Sequence, residues 1–124
     1  MAQKINSMET KEKLVSQVIG SEKAKTVVLF GGSPVRRDEI IRLISEGVDL
    51  TVYGTLNEEE GMEKLKELDN KVDIVLIGGR YTPSQRKRIS RWVTENLPKA
   101  KLSRPGFDYP YSNDEIRKDI VGKL

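Results

Sequence analysis

The sequence predicts a doubly wound α/β domain with a parallel sheet of about four strands, and three observations predict it. Thr26–Pro34 reads TVVLFGGSP and Val72–Arg80 reads VDIVLIGGR, so twice a run of apolar, largely β-branched residues stops at Gly-Gly. Each run is soon followed by Pro and an amphipathic pattern at helical spacing, the signature of a strand turning into a helix. Both runs are continuous rather than alternating, as expected for parallel strands covered on both faces by crossover helices. With right-handed crossovers and the first strand central, the strand order is 2-1-3-4. Gly31-Gly32 then faces Gly78-Gly79 at the carboxyl edge, where open α/β sheets bind ligands. An order 1-2-3-4 would hold the turns two strand spacings apart, about 10 Å.

Taken in chain order, Asn6 and Glu9 suggest a capping box opening an amphipathic helix, with Leu14, Val15, Val18 and Ile19 on one face and Gly20 as its stop. The expected division is this helical segment over 1–22 and an α/β core over 23–124, within one domain. The first strand, Thr26 to Phe30, turns at Gly31-Gly32; Ser33 can cap a helix and Pro34 occupies its first position, where a missing N–H costs nothing. That helix places Ile40, Ile41 and Ile44 inward and closes near Gly47. A second strand spans Leu50 to Tyr53. Asn57 and Glu60 suggest a capping box for a helix burying Met62, Leu65 and Leu68. Its acidic first turn, Glu58 to Glu60, suits the helix dipole and is read as structural rather than metal-binding.

The third strand runs from Val72 to Ile77. Thr82, Pro83 and Gln85 give the strongest helix start in the chain, opening a helix that reaches Asn96 with Ile89, Trp92, Val93 and Leu97 inward. A short fourth strand, about Ala100 to Ser103, is expected at an edge. The irregular aromatic segment Arg104 to Tyr111 follows. Ser112 and Glu115 then suggest a capped C-terminal helix seated by Ile116, Ile120 and Val121.

At 124 residues the chain can bury a core without staples. It has no Cys and no His, which removes disulfides, thiolate chemistry, His-based triads and the usual zinc sites. No apolar run approaches the roughly 20 residues that span a bilayer, and no signal-peptide core opens the chain, so a cytoplasmic protein without a membrane partner is expected. The net charge of +3 is unevenly spread. Arg80, Arg86, Lys87, Arg88, Arg91, Lys99, Lys101 and Arg104 lie within one segment whose sole acid is Glu95, whereas the remainder is mildly acidic. Such asymmetry points toward a polyanionic partner.

Two candidate sites follow. Gly-Gly turns at helix N-termini leave backbone N–H groups aimed at open space with a partial positive charge behind them. Here two such turns come with Gly31, Gly32, Ser33, Arg36 and Arg37 on one side and Gly78, Gly79, Arg80, Thr82 and Ser84 on the other. The expectation is a non-catalytic, regulatory module that binds a phosphorylated or otherwise anionic small molecule. The turn sequence GGSPVR is neither GxGxxG nor the phosphate loop GxxxxGK[ST], so no particular cofactor is implied. The bland alternative is that the glycines only make tight turns and the hydroxyls only cap helices. The second candidate is a nucleic-acid face made of Arg86, Lys87, Arg88, Arg91, Lys99, Lys101 and Arg104, with Phe107, Tyr109 and Tyr111 available for stacking on unpaired bases. Trp92 falls on the core stripe and is read as interior. A third reading is a protein-interaction or dimerisation domain. Catalysis is the least expected, since Asp38, Glu39 and Asp73 are the only acids near strand ends and no nucleophile has a base beside it.

The layout resembles receiver domains of two-component signalling, but Gly31-Gly32 and Gly78-Gly79 stand where those domains need acids and a phosphoacceptor Asp, so phosphotransfer is not implied. It is also similar to a family of small Rossmann-like prokaryotic domains of unknown function whose first strand ends in Gly-Gly followed by a basic residue, matched by Gly31, Gly32 and Arg36. Those proteins usually carry Cys and His after the third strand, where this chain has Tyr81 to Gln85. The resemblance spans Thr26 to Val121 and implies a Rossmann-like fold without implying a reaction.

Overall fold

A computed structural model describes residues 16–103 and 113–124. Five strands, β1 (Gln17–Val18), β2 (Lys25–Phe30), β3 (Leu50–Thr55), β4 (Ile74–Ile77) and β5 (Lys101–Ser103), form one mixed sheet in the order β1-β3-β2-β4-β5. Four helices accompany it: α1 (Pro34–Ser45), α2 (Glu58–Leu68), α3 (Pro83–Asn96) and α4 (Asn113–Gly122). A short 3-10 turn, Asp69–Lys71, precedes β4.

Strand count and sheet order thus differ from the four-stranded 2-1-3-4 expectation, because the chain ahead of β2 supplies an extra edge. Gln17 and Val18, expected within a helix over 6–20, instead pair antiparallel with Tyr53 and Val52. Residues 6–15 of that helix lie outside the described residues. The strand is held by tertiary contacts: Gly54 N–H donates to the Ser16 carbonyl at 2.8 Å and Gly20 N–H to Thr51 Oγ1 at 2.9 Å. Gly20 is a close approach rather than a helix stop, since a Cβ there would lie 2.7 Å from both Ala24 Cβ and Asp49 Oδ1. The remaining strands are parallel, with β2 central between β3 and β4.

Alternate residues of β2 serve opposite faces of the sheet. Val27 and Leu29 join Ile74 and Leu76 under α1 and α4, in a cluster with Ile40, Ile41, Ile44, Ile116 and Ile120. Val28 and Phe30 join Val75 and Ile77 under α2 and α3, with Leu65, Ile89, Val93 and Leu97. Trp92 is partly buried against this second cluster. Val121, expected to seat α4, is instead 46 % exposed.

The helix starts follow sequence chemistry. Ser33 caps α1 by accepting from the Arg36 N–H, Asn57 caps α2 by accepting from Glu60 N–H at 2.8 Å, and Thr82 with Gln85 makes a complete capping box. Glu60 differs in detail from the expected box: its carboxylate accepts from Leu56 N–H, one residue ahead of the cap. The proposed Ser112 cap and the aromatic segment 104–111 lie outside the described residues. Asp73 sits at the amino end of β4, where it accepts from Thr26 N–H at 2.8 Å, far from the glycine turns. Among the described residues no helix is long and apolar enough to cross a membrane.

A candidate ligand cleft between two glycine turns

Backbone hydrogen bonds lace the carboxyl ends of the three central strands together. Gly31 N–H donates to the Thr55 carbonyl and Gly78 N–H to the Phe30 carbonyl, both at 2.9 Å. Thr55 Oγ1 donates to the Leu29 carbonyl at 2.8 Å. Tyr81, which follows the second glycine turn, reaches back to the first and donates its hydroxyl to the Gly31 carbonyl at 3.0 Å. Its ring meets Phe30 edge to face at a centroid distance of 6.0 Å. Burial pushes the Tyr81 phenol up to about 12, with the Glu58 and Glu60 carboxylates adding to the effect.

Between the turns lies a cleft of about 260 Å³, lined by Leu29, Gly31, Gly32, Arg36, Arg37, Ile40, Leu76, Gly78, Gly79, Arg80 and Ile116. Seven of the ten residues expected at the anion site are therefore brought to one place. Ser33 and Thr82 are spent on helix caps, and Ser84 lines a separate groove between α2 and α3. The Gly31 and Gly78 N–H groups are used in strand pairing, whereas those of Gly32, Gly79 and Arg80 have no acceptor among the described residues.

The three cleft arginines are not equivalent. Arg37 is buried, its Nε donating to Asp38 Oδ1 at 2.9 Å, and its stem fills the space that Cβ atoms on Gly31 and Gly54 would need. Arg36 donates at 2.8 Å both to Glu39 Oε1 and to Asn113 Oδ1, tying α1 to the start of α4. The hydrogen bond from Arg36 holds the Glu39 carboxyl below its ordinary value, and Asn113 pulls the same way. Arg80 is exposed and lies across Gly32, where an added Cβ would come within 2.7 Å of its Cδ. Among the described residues its guanidinium has no hydrogen-bond or ion-pair partner.

The basic segment is dispersed. Arg86, expected to point outward with Lys87, Arg88 and Arg91, is buried and braces the second glycine turn, donating to the Tyr81 and Gly78 carbonyls at 3.0 Å each. The helix spacing puts Arg86 on the inner side of α3, where those carbonyls need donors. Arg88 is clamped by both oxygens of Glu58. Lys101 donates to the Lys123 carbonyl at 3.1 Å. Lys87, Arg88 and Arg91 share the groove between α2 and α3 with Met62 and Trp92, Lys99 is exposed elsewhere, and Arg104 lies outside the described residues. Among the described residues no group of His, Cys, Asp and Glu is placed to hold a metal ion.

Sequence reasoning missed Tyr81 and Arg86 as the braces of the site. The signal was present in part: an aromatic and a basic residue flank the cap of α3. Only the fold shows that both point back at the turns.

Comparison with protein-family models, with curated proteins and with solved structures finds no match.

Proposed function

We propose that this protein is a non-catalytic binding module that holds a small anionic molecule, phosphorylated or otherwise, between its two Gly-Gly turns, in a regulatory role. One observation carries the reading: the two turns enclose a cleft at the carboxyl edge of the sheet whose lining includes Arg80, its stem lying over Gly32 and its guanidinium without a partner among the described residues. The N–H groups of Gly32, Gly79 and Arg80, without acceptors among the described residues, stand just ahead of α1 and α3, whose N-termini add partial positive charge at that edge. The nucleic-acid reading keeps Lys87, Arg91 and Lys99 as exposed cations but loses Arg86 to the interior and shares Arg88 with Glu58, so the geometry favours the cleft.

The test is a thermal-shift screen of the full chain against inorganic phosphate, sugar phosphates, nucleotides and small carboxylates. A ligand at a hundred times its Kd stabilises the native state by about 2.7 kcal/mol. Arg80→Ala removes a charge-assisted hydrogen bond worth roughly 1.5–3 kcal/mol, so binding weakens about ten- to hundredfold. If no anionic compound at millimolar concentration stabilises the parent, or if Arg80→Ala is stabilised equally, the cleft is architecture and the reading is wrong.

A further inference from the structure

We infer that the occupant of this cleft is a singly charged anion with an apolar body, of the class of short aliphatic or aromatic carboxylates, rather than a polyphosphate. The inference rests on the anion-binding reading above and narrows it by shape, lining and charge.

The floor is apolar. Leu29, Ile40, Leu76 and Ile116 all line the cleft and all belong to the core layer between the sheet and helices α1 and α4. A ligand entering between the glycine turns therefore meets the edge of a hydrophobic layer, which rewards a body that can be desolvated. The volume of about 260 Å³ sits below the roughly 300–1,000 Å³ usual for larger ligands, which favours a small body.

Among the described residues the charge of the lining is nearly balanced. Of the three arginines in the lining, Arg37 is neutralised by Asp38 and Arg36 faces Glu39, leaving Arg80 as the cation that is unpaired among the described residues. One extra positive charge compensates one negative charge. Further phosphate charges would find no matching unpaired cation among the described residues of the lining, an arrangement that desolvation makes unfavourable. The polar end belongs at the rim, beside Arg80 and the N–H groups of Gly32 and Gly79, and the apolar end belongs on Leu29, Ile40, Leu76 and Ile116.

The experiment titrates the full chain, by calorimetry and by amide chemical shifts, with acetate, butyrate, hexanoate, octanoate and benzoate. Hexanol serves as a neutral control, and phosphate and pyrophosphate as anions without an apolar body. The expected result is affinity rising by about fourfold for each methylene until the cleft is filled. Hexanoate should bind more tightly than hexanol and more tightly than pyrophosphate. Arg80→Gln keeps the three side-chain carbons that pack on Gly32 and replaces the guanidinium by a neutral amide; it should bring hexanoate down to the level of hexanol, about tenfold or more, while melting like the parent. Arg80→Lys should retain part of the preference. If phosphate or pyrophosphate binds more tightly than hexanoate, and Arg80→Gln abolishes that binding, the apolar-body inference is overturned while the anion-binding reading stands. Hexanol binding as tightly as hexanoate overturns the charge assignment. Absence of binding by every anion overturns both.

Discussion

The Tyr81 hydroxyl donates to the Gly31 carbonyl at 3.0 Å across 50 residues of chain, joining the loop after β4 to the turn after β2. Both glycine turns are thus fixed relative to each other by a side chain that also packs edge to face on Phe30. The cleft is bounded by turns that are mutually braced rather than by two independent loops.

Removing that brace should be felt in stability. Tyr81→Phe keeps the ring contact with Phe30 and leaves the buried Gly31 carbonyl without its side-chain donor, an effect of about 1–2 kcal/mol. Urea unfolding monitored by circular dichroism measures it, and an unchanged midpoint would show that the bond contributes nothing. The same residue predicts a pH dependence. Its folded pKa of about 12 lies above the ordinary 10.0, so the protonated phenol is the form the fold favours. Its contribution is complete below pH 10.0 and is lost as pH rises through about 12. Over that window the parent should lose stability faster than Tyr81→Phe.

Arg86→Ala should destabilise the fold by about 2–4 kcal/mol, because it strips the donors from the Gly78 and Tyr81 carbonyls and empties a buried site. Lys87→Ala and Arg91→Ala, on the exposed side of the same helix, should stay within about 0.5 kcal/mol of the parent. Charge reversal to probe nucleic-acid binding therefore belongs at Lys87 and Arg91; including Arg86 would report unfolding. Equal melting temperatures for all three alanine variants would contradict the buried placement of Arg86.

The glycines of the two turns should respond differently to a methyl group. Gly79 has nothing within 4 Å of an added Cβ and no positive φ, so Gly79→Ala should be neutral or stabilise by about 0.4–1 kcal/mol through the unfolded chain. At Gly32 the methyl meets Arg80 Cδ at 2.7 Å and displaces that side chain, so Gly32→Ala should weaken anion binding more than it lowers the melting temperature. Binding that is reduced by Gly79→Ala and untouched by Gly32→Ala would reverse this assignment.

Gly61→Ala is expected to destabilise despite alanine's better helix propensity. The new Cβ would stand 2.1 Å from Phe30 Cε2, so α2 must shift off the sheet, at about 1–3 kcal/mol. Thermal unfolding decides; a variant as stable as the parent would mean that α2 moves freely over Phe30.

Much of the secondary structure was legible because it rests on local chemistry. The apolar runs at β2 and β4, the caps at Ser33, Asn57 and Thr82, and the stripe of Ile40, Ile41 and Ile44 all act within a turn or two of the chain, and the structure places each close to where its pattern falls. The glycine turns, and with them most of the cleft lining, were legible for the same reason. Two features were decided by partners elsewhere in the fold. Gln17 and Val18 form a strand because β3 offers an open edge, although the apolar spacing around them is helical. Arg86 turns inward because two carbonyls at the second glycine turn need donors, which outweighs the preference of a charge for water. Arg36 and Arg37 pair with Glu39 and Asp38 close by in sequence, whereas only the fold brings Asn113 onto Arg36 and lays the stem of Arg80 over Gly32 beside the apolar residues that line the cleft. A sequence states which groups carry charge; which charges remain after pairing and burial is a property of where the chain brings their partners.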